Sequence, residues 1–101
     1  MPSTLFEKIW QSHLILSGKS QPDLLYVDRI FLHERTGSFA LKSLKERGLK
    51  VKNPKHVFAT MDHIVDTFPG RGDERLMPGG KKFIQTMREL AKEFGITLFD
   101  I

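Results

Sequence analysis

Residues 57–63 read Val57-Phe58-Ala59-Thr60-Met61-Asp62-His63, an apolar run of strand length that stops at a carboxylate and an imidazole. A short, nearly continuous apolar run suits a strand covered on both faces, as in a parallel sheet flanked by helices. The polar pair then falls just past the strand's carboxyl end, where open α/β sheets place ligand-binding groups. The flanking sequence decides whether such a sheet exists. Downstream, Phe83, Ile84, Met87, Leu90, Ala91 and Phe94 trace one face of a helix, and Gly95 stands where a C-terminal cap belongs. Ile96-Thr97-Leu98-Phe99 opens a further strand. A long loop rich in Gly, Pro and charge runs from Asp66 to Gly80, and loops of that length in a compact domain are often functional or poorly ordered.

Upstream, Thr36 or Ser38 is a candidate cap for a helix carrying Phe39, Ala40, Leu41 and Leu44, with Gly48 at its end. Leu24-Leu25-Tyr26-Val27 is a second apolar run, read as a strand covered on both faces. Beyond it come Asp28 and Arg29, then Ile30-Phe31-Leu32, then His33 and Glu34. The first helix opens at Thr4 with Glu7 three residues on, the spacing of a capping box. Leu5, Phe6, Ile9, Trp10, His13 and Leu14 share one of its faces, and Gly18 would close it. Three helix patterns alternating with three strand patterns make the class α/β, a parallel sheet with helices on its faces.

Composition narrows the function. The chain has 101 residues, enough for one small domain or a piece of a larger one. A chain of this size buries a modest fraction of its surface, so its stability is thin without a partner. No apolar run approaches the roughly 18 residues that cross a bilayer, and the N-terminus lacks the apolar core of a secretory signal. The expectation is a cytoplasmic protein with no membrane partner. Cysteine is absent, which removes disulfides, thiol nucleophiles and thiolate metal sites from these residues. The net charge of +4 owes much to Lys42, Lys45, Arg47, Lys50, Lys52 and Lys55. Such a run can meet phosphate backbones, but no aromatics interleave it as a base-stacking surface requires. A solvated helix face followed by a loop is the expected reading, and nucleic acid is not an expected partner.

Several motifs fail on their spacing. Gly70-Arg71-Gly72 begins like a dinucleotide fingerprint, but Arg75 stands where its last glycine belongs. Gly79-Gly80-Lys81-Lys82 lacks the glycine spacing and the hydroxyl of a phosphate-binding loop. Arg71-Gly72-Asp73 spells an adhesion tripeptide in a chain without a secretory signal, where chance accounts for it. His13, His33, His56 and His63 show no zinc-site spacing, so no metal ligands are assigned. His13, on an apolar helix face, reads as a packed histidine with one hydrogen bond. Asp62-His63 is more informative, since a carboxylate beside an imidazole raises its basicity and fixes its orientation. A salt-bridged pair at a strand end has the same spacing, so the dipeptide alone leaves both readings open.

Four ordered stretches go further. Thr4-Leu5-Phe6-Glu7-Lys8, Leu24-Leu25-Tyr26-Val27-Asp28-Arg29 continuing to Leu32-His33-Glu34 and Thr36, Phe58-Ala59-Thr60-Met61-Asp62-His63, and Glu93-Phe94-Gly95-Ile96-Thr97-Leu98-Phe99-Asp100 are each similar to segments of 3-isopropylmalate dehydratase large subunits. That family is a branch of the aconitase-type hydro-lyases, and the matches run in order from residue 4 to residue 100. The resemblance departs at Ile64, where many large subunits carry Asn, at Ser38, and through the loop from Phe68 to Gly80. Those differences leave the exact substrate open among isopropylmalate, homoaconitate, dimethylmalate and methylmalate relatives.

The resemblance implies that residues 1–101 are the N-terminal part of an aconitase-like α/β/α layered domain, with no second domain in this chain. It implies a hydro-lyase that isomerises 2-isopropylmalate and 3-isopropylmalate by dehydration and rehydration in leucine biosynthesis. The segment alone is expected to be inactive. By resemblance His63 is the proton donor and Asp62 its orienting partner, His33 meets a substrate carboxylate, and Asp28, Arg29 and Glu34 belong to the substrate-binding surroundings. A 4Fe–4S cluster is implied for the intact enzyme, held by cysteines that this chain does not contain. The implied partners are the remainder of the large subunit, a small swivelling-domain subunit that supplies a serine base, and a 2-hydroxy dicarboxylate. A stand-alone module that binds the small subunit or another domain is the competing expectation.

Overall fold

The computed structural model describes residues 2–70, 72–74 and 77–101. Arg71 and Arg75, on which the glycine-motif and adhesion-tripeptide readings turn, lie outside the described residues. The elements in order are α1 (Leu5–His13), β1 (Leu14–Leu16), β2 (Leu24–Leu25), β3 (Ile30–His33), α2 (Glu34–Glu46), a 3₁₀ turn (Pro54–His56), β4 (Val57–Thr60), α3 (Gly80–Phe94) and β5 (Thr97–Phe99).

The class is α/β, as the alternation implies. β3, β4 and β5 form a parallel sheet in that order, with Phe31 opposite Phe58, His33 opposite Thr60, and Ala59 between Leu32 on one side and Leu98 on the other. α2 returns the chain from β3 to β4, and α3 returns it from β4 to β5. The helices pack on each other and against the strands. Because side chains alternate along a strand, Val57 and Ala59 turn to one face, where they are buried with Leu41, Ile84, Met87 and Leu90. Gly37 allows this approach. A Cβ there would lie 2.7 Å from Met87 Cε and 3.0 Å from Leu32 Cβ.

The opposite face carries Phe31, Phe58 and Phe99 in a row, with ring centroids 5.8 and 6.4 Å apart. Phe31 is 77% exposed and Phe99 58%. Among the described residues one helical layer is present, and the aromatic row lies bare where a second would pack. The radius of gyration is 17.7 Å, against about 13 Å for a compact domain of this length. The excess comes largely from an N-terminal arm of α1, β1 and β2, in which Trp10, His13, Leu14 and Leu25 are partly buried and the other residues exposed.

Four boundaries differ from the sequence reading. The capping box at Thr4 and Glu7 forms as expected, but α1 ends at His13 rather than running to Gly18. Leu14–Leu16 leaves it to pair antiparallel with Leu24–Leu25. Asp23 holds that turn, accepting hydrogen bonds from Trp10 Nε1 at 2.9 Å and the Gly18 N–H at 3.0 Å. Leu24–Leu25, the start of the run to Val27, is therefore half of a small hairpin, and the first parallel strand is Ile30–His33. Finally, α2 begins at Glu34, because neither candidate cap acts as one. The Ser38 hydroxyl bonds the Glu34 carbonyl inside the helix, and Thr36 Oγ1 lies 3.2 Å from His33 Nε2. At the other end of the fold the reading holds. Gly95 takes φ +70°, and the Ile96 N–H returns 2.9 Å to the Ala91 carbonyl to close α3.

Candidate active site

β3 and β4 are parallel neighbours, so both release their chains at the same edge of the sheet. His33 ends β3 there. Thr60 ends β4 opposite it, and Met61, Asp62 and His63 follow. Met61 and Ile64 are buried on either side of the pair, so the turn is anchored at both ends while Asp62 and His63 stay open to solvent. Ile64, where the resembling large subunits carry Asn, is thus an inward-packed residue here.

What fixes the turn is Glu34, the first residue of α2 and fully buried. One carboxylate oxygen accepts the Asp62 N–H at 3.0 Å; the other accepts the N–H groups of His63, at 2.5 Å, and Ile64. A buried carboxylate is costly unless its lone pairs are met, and here backbone donors meet them. Glu34 was counted with the substrate-binding surroundings. Both of its oxygens accept backbone N–H groups of the turn, so in this structure it holds the turn that carries Asp62 and His63.

The turn stacks His63 on His33. The ring centroids are 3.5 Å apart and the planes differ by 8°. His63 Nδ1 lies 2.8 Å from Asp62 Oδ1, which leaves Nε2 as the ring's other hydrogen-bonding atom. The hydrogen bond from His63 is the main reason that the Asp62 carboxyl lies below the usual carboxylate range. Burial opposes it slightly, and the nearby His63 and His33 rings add to the lowering. An ionised carboxylate on Nδ1 fixes tautomer and ring orientation. The arrangement can hold a proton on His63 Nε2 and give it up to an oxygen placed against the turn.

Asp28 and Arg29 are not brought to this edge. They precede β3 and lie at its amino end, with the strand between them and His33. Asp28 accepts instead from His13 Nε2 at 2.9 Å. Arg29 Nη1 donates 2.8 Å to the Asp28 carbonyl. His13 also places Nδ1 2.7 Å from the Ile9 carbonyl and 3.0 Å from Ser12 Oγ, more partners than the single bond expected of it. The Ile9 carbonyl, and then Asp28, raise the His13 pKa. Asp28 is lowered in turn, chiefly by its bond to His13.

The basic stretch behaves as a solvated helix face. Lys45 reaches Glu93 at 2.7 Å, and Lys42 is 3.9 Å from Glu46. A groove of about 250 Å³ lies between α2 and α3, lined by Ser38, Phe39, Lys42, Lys82, Phe83 and Thr86. None of the site histidines lines it. The sequence reading also missed Arg88, whose guanidinium joins Asp73 at 2.6 Å and Asp100 at 2.6 and 3.0 Å. It ties the long loop and the chain's last residues to α3. Helical spacing puts Arg88 beside Met87 with no sign of partners 15 and 12 residues away.

An iron–sulfur cluster of the implied kind is held by thiolates. The donors that gather here are imidazole nitrogens and a carboxylate, and the chain has no cysteine. These residues do not fit a cluster.

No solved structure matches the chain. The family model for the aconitase family (aconitate hydratase) matches residues 7–101, from α1 through β5 and across the whole of the site just described. On that match the chain belongs to the aconitase family.

Proposed function

We propose that the chain is the first part of the large subunit of a 3-isopropylmalate dehydratase, contributing the acid side of the dehydration. The observation that carries this is the stacked pair His33 and His63, with Asp62 on His63 Nδ1, at the shared edge of β3 and β4. Elimination of water from a 2-hydroxy dicarboxylate breaks a C–O bond to a poor leaving group. Protonating that oxygen as the bond breaks is worth about 10²–10⁴ in rate. His63 Nε2 donates this proton, so the oxygen leaves as water, and Asp62 steadies the imidazole throughout. His33 hydrogen-bonds a substrate carboxylate. The proton on the adjacent carbon goes to a base outside these residues, the serine that the resemblance assigns to the small subunit. Return of water by the reverse path at the neighbouring carbon completes the isomerisation.

The bare row of Phe31, Phe58 and Phe99 supports the view that these residues belong to a larger layered domain whose remainder covers it. The same row favours one alternative, a short chain that binds the small subunit through this face. Calorimetric titration of the chain with that subunit separates the two, since tight binding without the rest of the large subunit favours the module.

The substrate is tested on the large subunit carrying this segment, assembled with the small subunit. It is offered 2-isopropylmalate, homocitrate, methylmalate and citrate, and the unsaturated acid formed by loss of water is followed by its ultraviolet absorbance. Turnover of 2-isopropylmalate above the others is expected. Turnover of citrate or homocitrate with none of 2-isopropylmalate overturns the assignment of substrate while leaving the family in place.

A further inference from the structure

We propose that His33, Asp62 and His63 also form a binding site for one divalent transition-metal ion of the zinc or cobalt class. One nitrogen from each ring and one oxygen from Asp62 lie within 4.8 Å of one another. In a tetrahedral zinc site with bonds near 2.0–2.2 Å the donors are separated by roughly 3.3–3.6 Å, so closure takes about an ångström. Two imidazoles and a carboxylate suit borderline metals and not calcium or magnesium, which prefer all-oxygen shells. Three protein donors leave a fourth position for water.

Two features of the site bear on which atoms move. The rings lie face to face, so their lone pairs run side by side and do not converge on a common point. One ring must turn. His63, on an open turn with its side chain 46% exposed, has the room. His33 is held more firmly. Its Nε2 lies 3.2 Å from Thr36 Oγ1, an outer partner of the kind that orients metal-bound histidines. Its Nδ1 is buried with no hydrogen-bond partner among the described residues. With Nε2–H donating to Thr36, that nitrogen carries an unused lone pair, a state that native structures seldom leave unsatisfied. The ion also displaces the proton that Asp62 and His63 share. Resting on the proposed function, the bound ion turns the His63 ring and takes Asp62 from it, so the imidazole loses the orientation that proton donation needs and the ion acts as an inhibitor of that step.

The test is titration of the 101-residue chain with cobalt(II), read by visible absorbance, and with zinc chloride, read by calorimetry. One ion per chain is expected. His33→Ala and His63→Ala should each weaken binding by about 100-fold, the upper end of what orienting partners alone cost, and His56→Ala should change nothing. Ring-proton resonances of His33 and His63 should shift on zinc addition as the stack opens, while those of His13 stay put. Circular dichroism checks each variant's fold. Should His33→Ala unfold, His63→Ala, on an exposed turn, carries the comparison. Wild-type binding no tighter than that of the His63→Ala variant overturns the site. Loss of turnover in His63→Ala without metal binding by the wild type removes the metal site and spares the hydro-lyase. Metal binding with undiminished turnover in His63→Ala does the reverse.

Discussion

Glu34 places a carboxylate where no solvent reaches it, and the backbone N–H groups of Asp62, His63 and Ile64 converge on its two oxygens. An acceptor-only group facing donors is matched, whereas an amide would turn two N–H donors toward the same backbone groups. Glu34→Gln is therefore expected to destabilise the fold by about 1–3 kcal/mol, measured by urea unfolding. It should also loosen the His33–His63 stack, seen as altered ring-proton shifts. A variant as stable as wild type with an unchanged stack would show that the turn is held by something else. The sequence marked Glu34 by resemblance but could not reveal its partners, which lie 28 to 30 residues away. A second residue-scale expectation concerns the N-terminal arm. His13 is raised by the Ile9 carbonyl and then by Asp28, so its share of stability is complete below pH 6.5 and is lost as pH rises through its folded value. Asp28 is lowered from 3.8, so its share is present above that pH and fades as pH falls through its folded value. Asp28→Asn should move the His13 titration downward in proton NMR. An unmoved titration would mean that the pair does not form in solution.

At the scale of elements, the strand after Val57, the helix ending at Gly95 and the final strand were legible because each carries its own periodicity and boundary. The first strand was not. Leu24 to Val27 is the more apolar run, yet only Leu24–Leu25 is a strand and it pairs in a hairpin, while the sheet uses Ile30–His33. Periodicity ranks runs by hydrophobicity, whereas membership of the sheet depends on which run α2 can return beside β4. That return depends on Gly37, whose missing side chain admits Met87 and Leu32. Gly37→Val fills that space with a branched side chain against the fixed Leu32 Cβ. A loss of about 1–3 kcal/mol is expected, read from the midpoint of thermal or urea unfolding. Unchanged stability would show that α2 has slack against the sheet. Ser38 and Thr36 misled for a related reason. Both are good caps by type, but inside α2 their hydroxyls serve the Glu34 carbonyl and the His33 ring.

The whole molecule is a half-covered sheet with an arm extending from it, 54 Å in its longest dimension. An aromatic row with more than half of Phe31 and Phe99 in solvent is a surface that proteins usually bury. The isolated chain is expected to self-associate as its concentration rises, and replacing Phe31 and Phe99 with Ser should shift sedimentation toward the monomer. A wild-type chain that stays monomeric at high concentration would argue that the row needs no cover. The histidine site sits at an end of this same sheet, where resemblance pointed to His33, Asp62 and His63 and the fold brings them together. Asp28 and Arg29, adjacent in the resembling motif, fall at the other end because the four-residue strand that His33 ends begins just after Arg29.

The measurement closest to the central claim is the turnover of His63→Ala in the assembled enzyme, taken beside its thermal unfolding. The side chain lies on an open turn, so its removal should leave the unfolding midpoint nearly unchanged. With the proton donor gone, kcat should fall by about 10²–10⁴. Near-normal turnover by a folded variant would contradict the assignment and take His63 out of the mechanism.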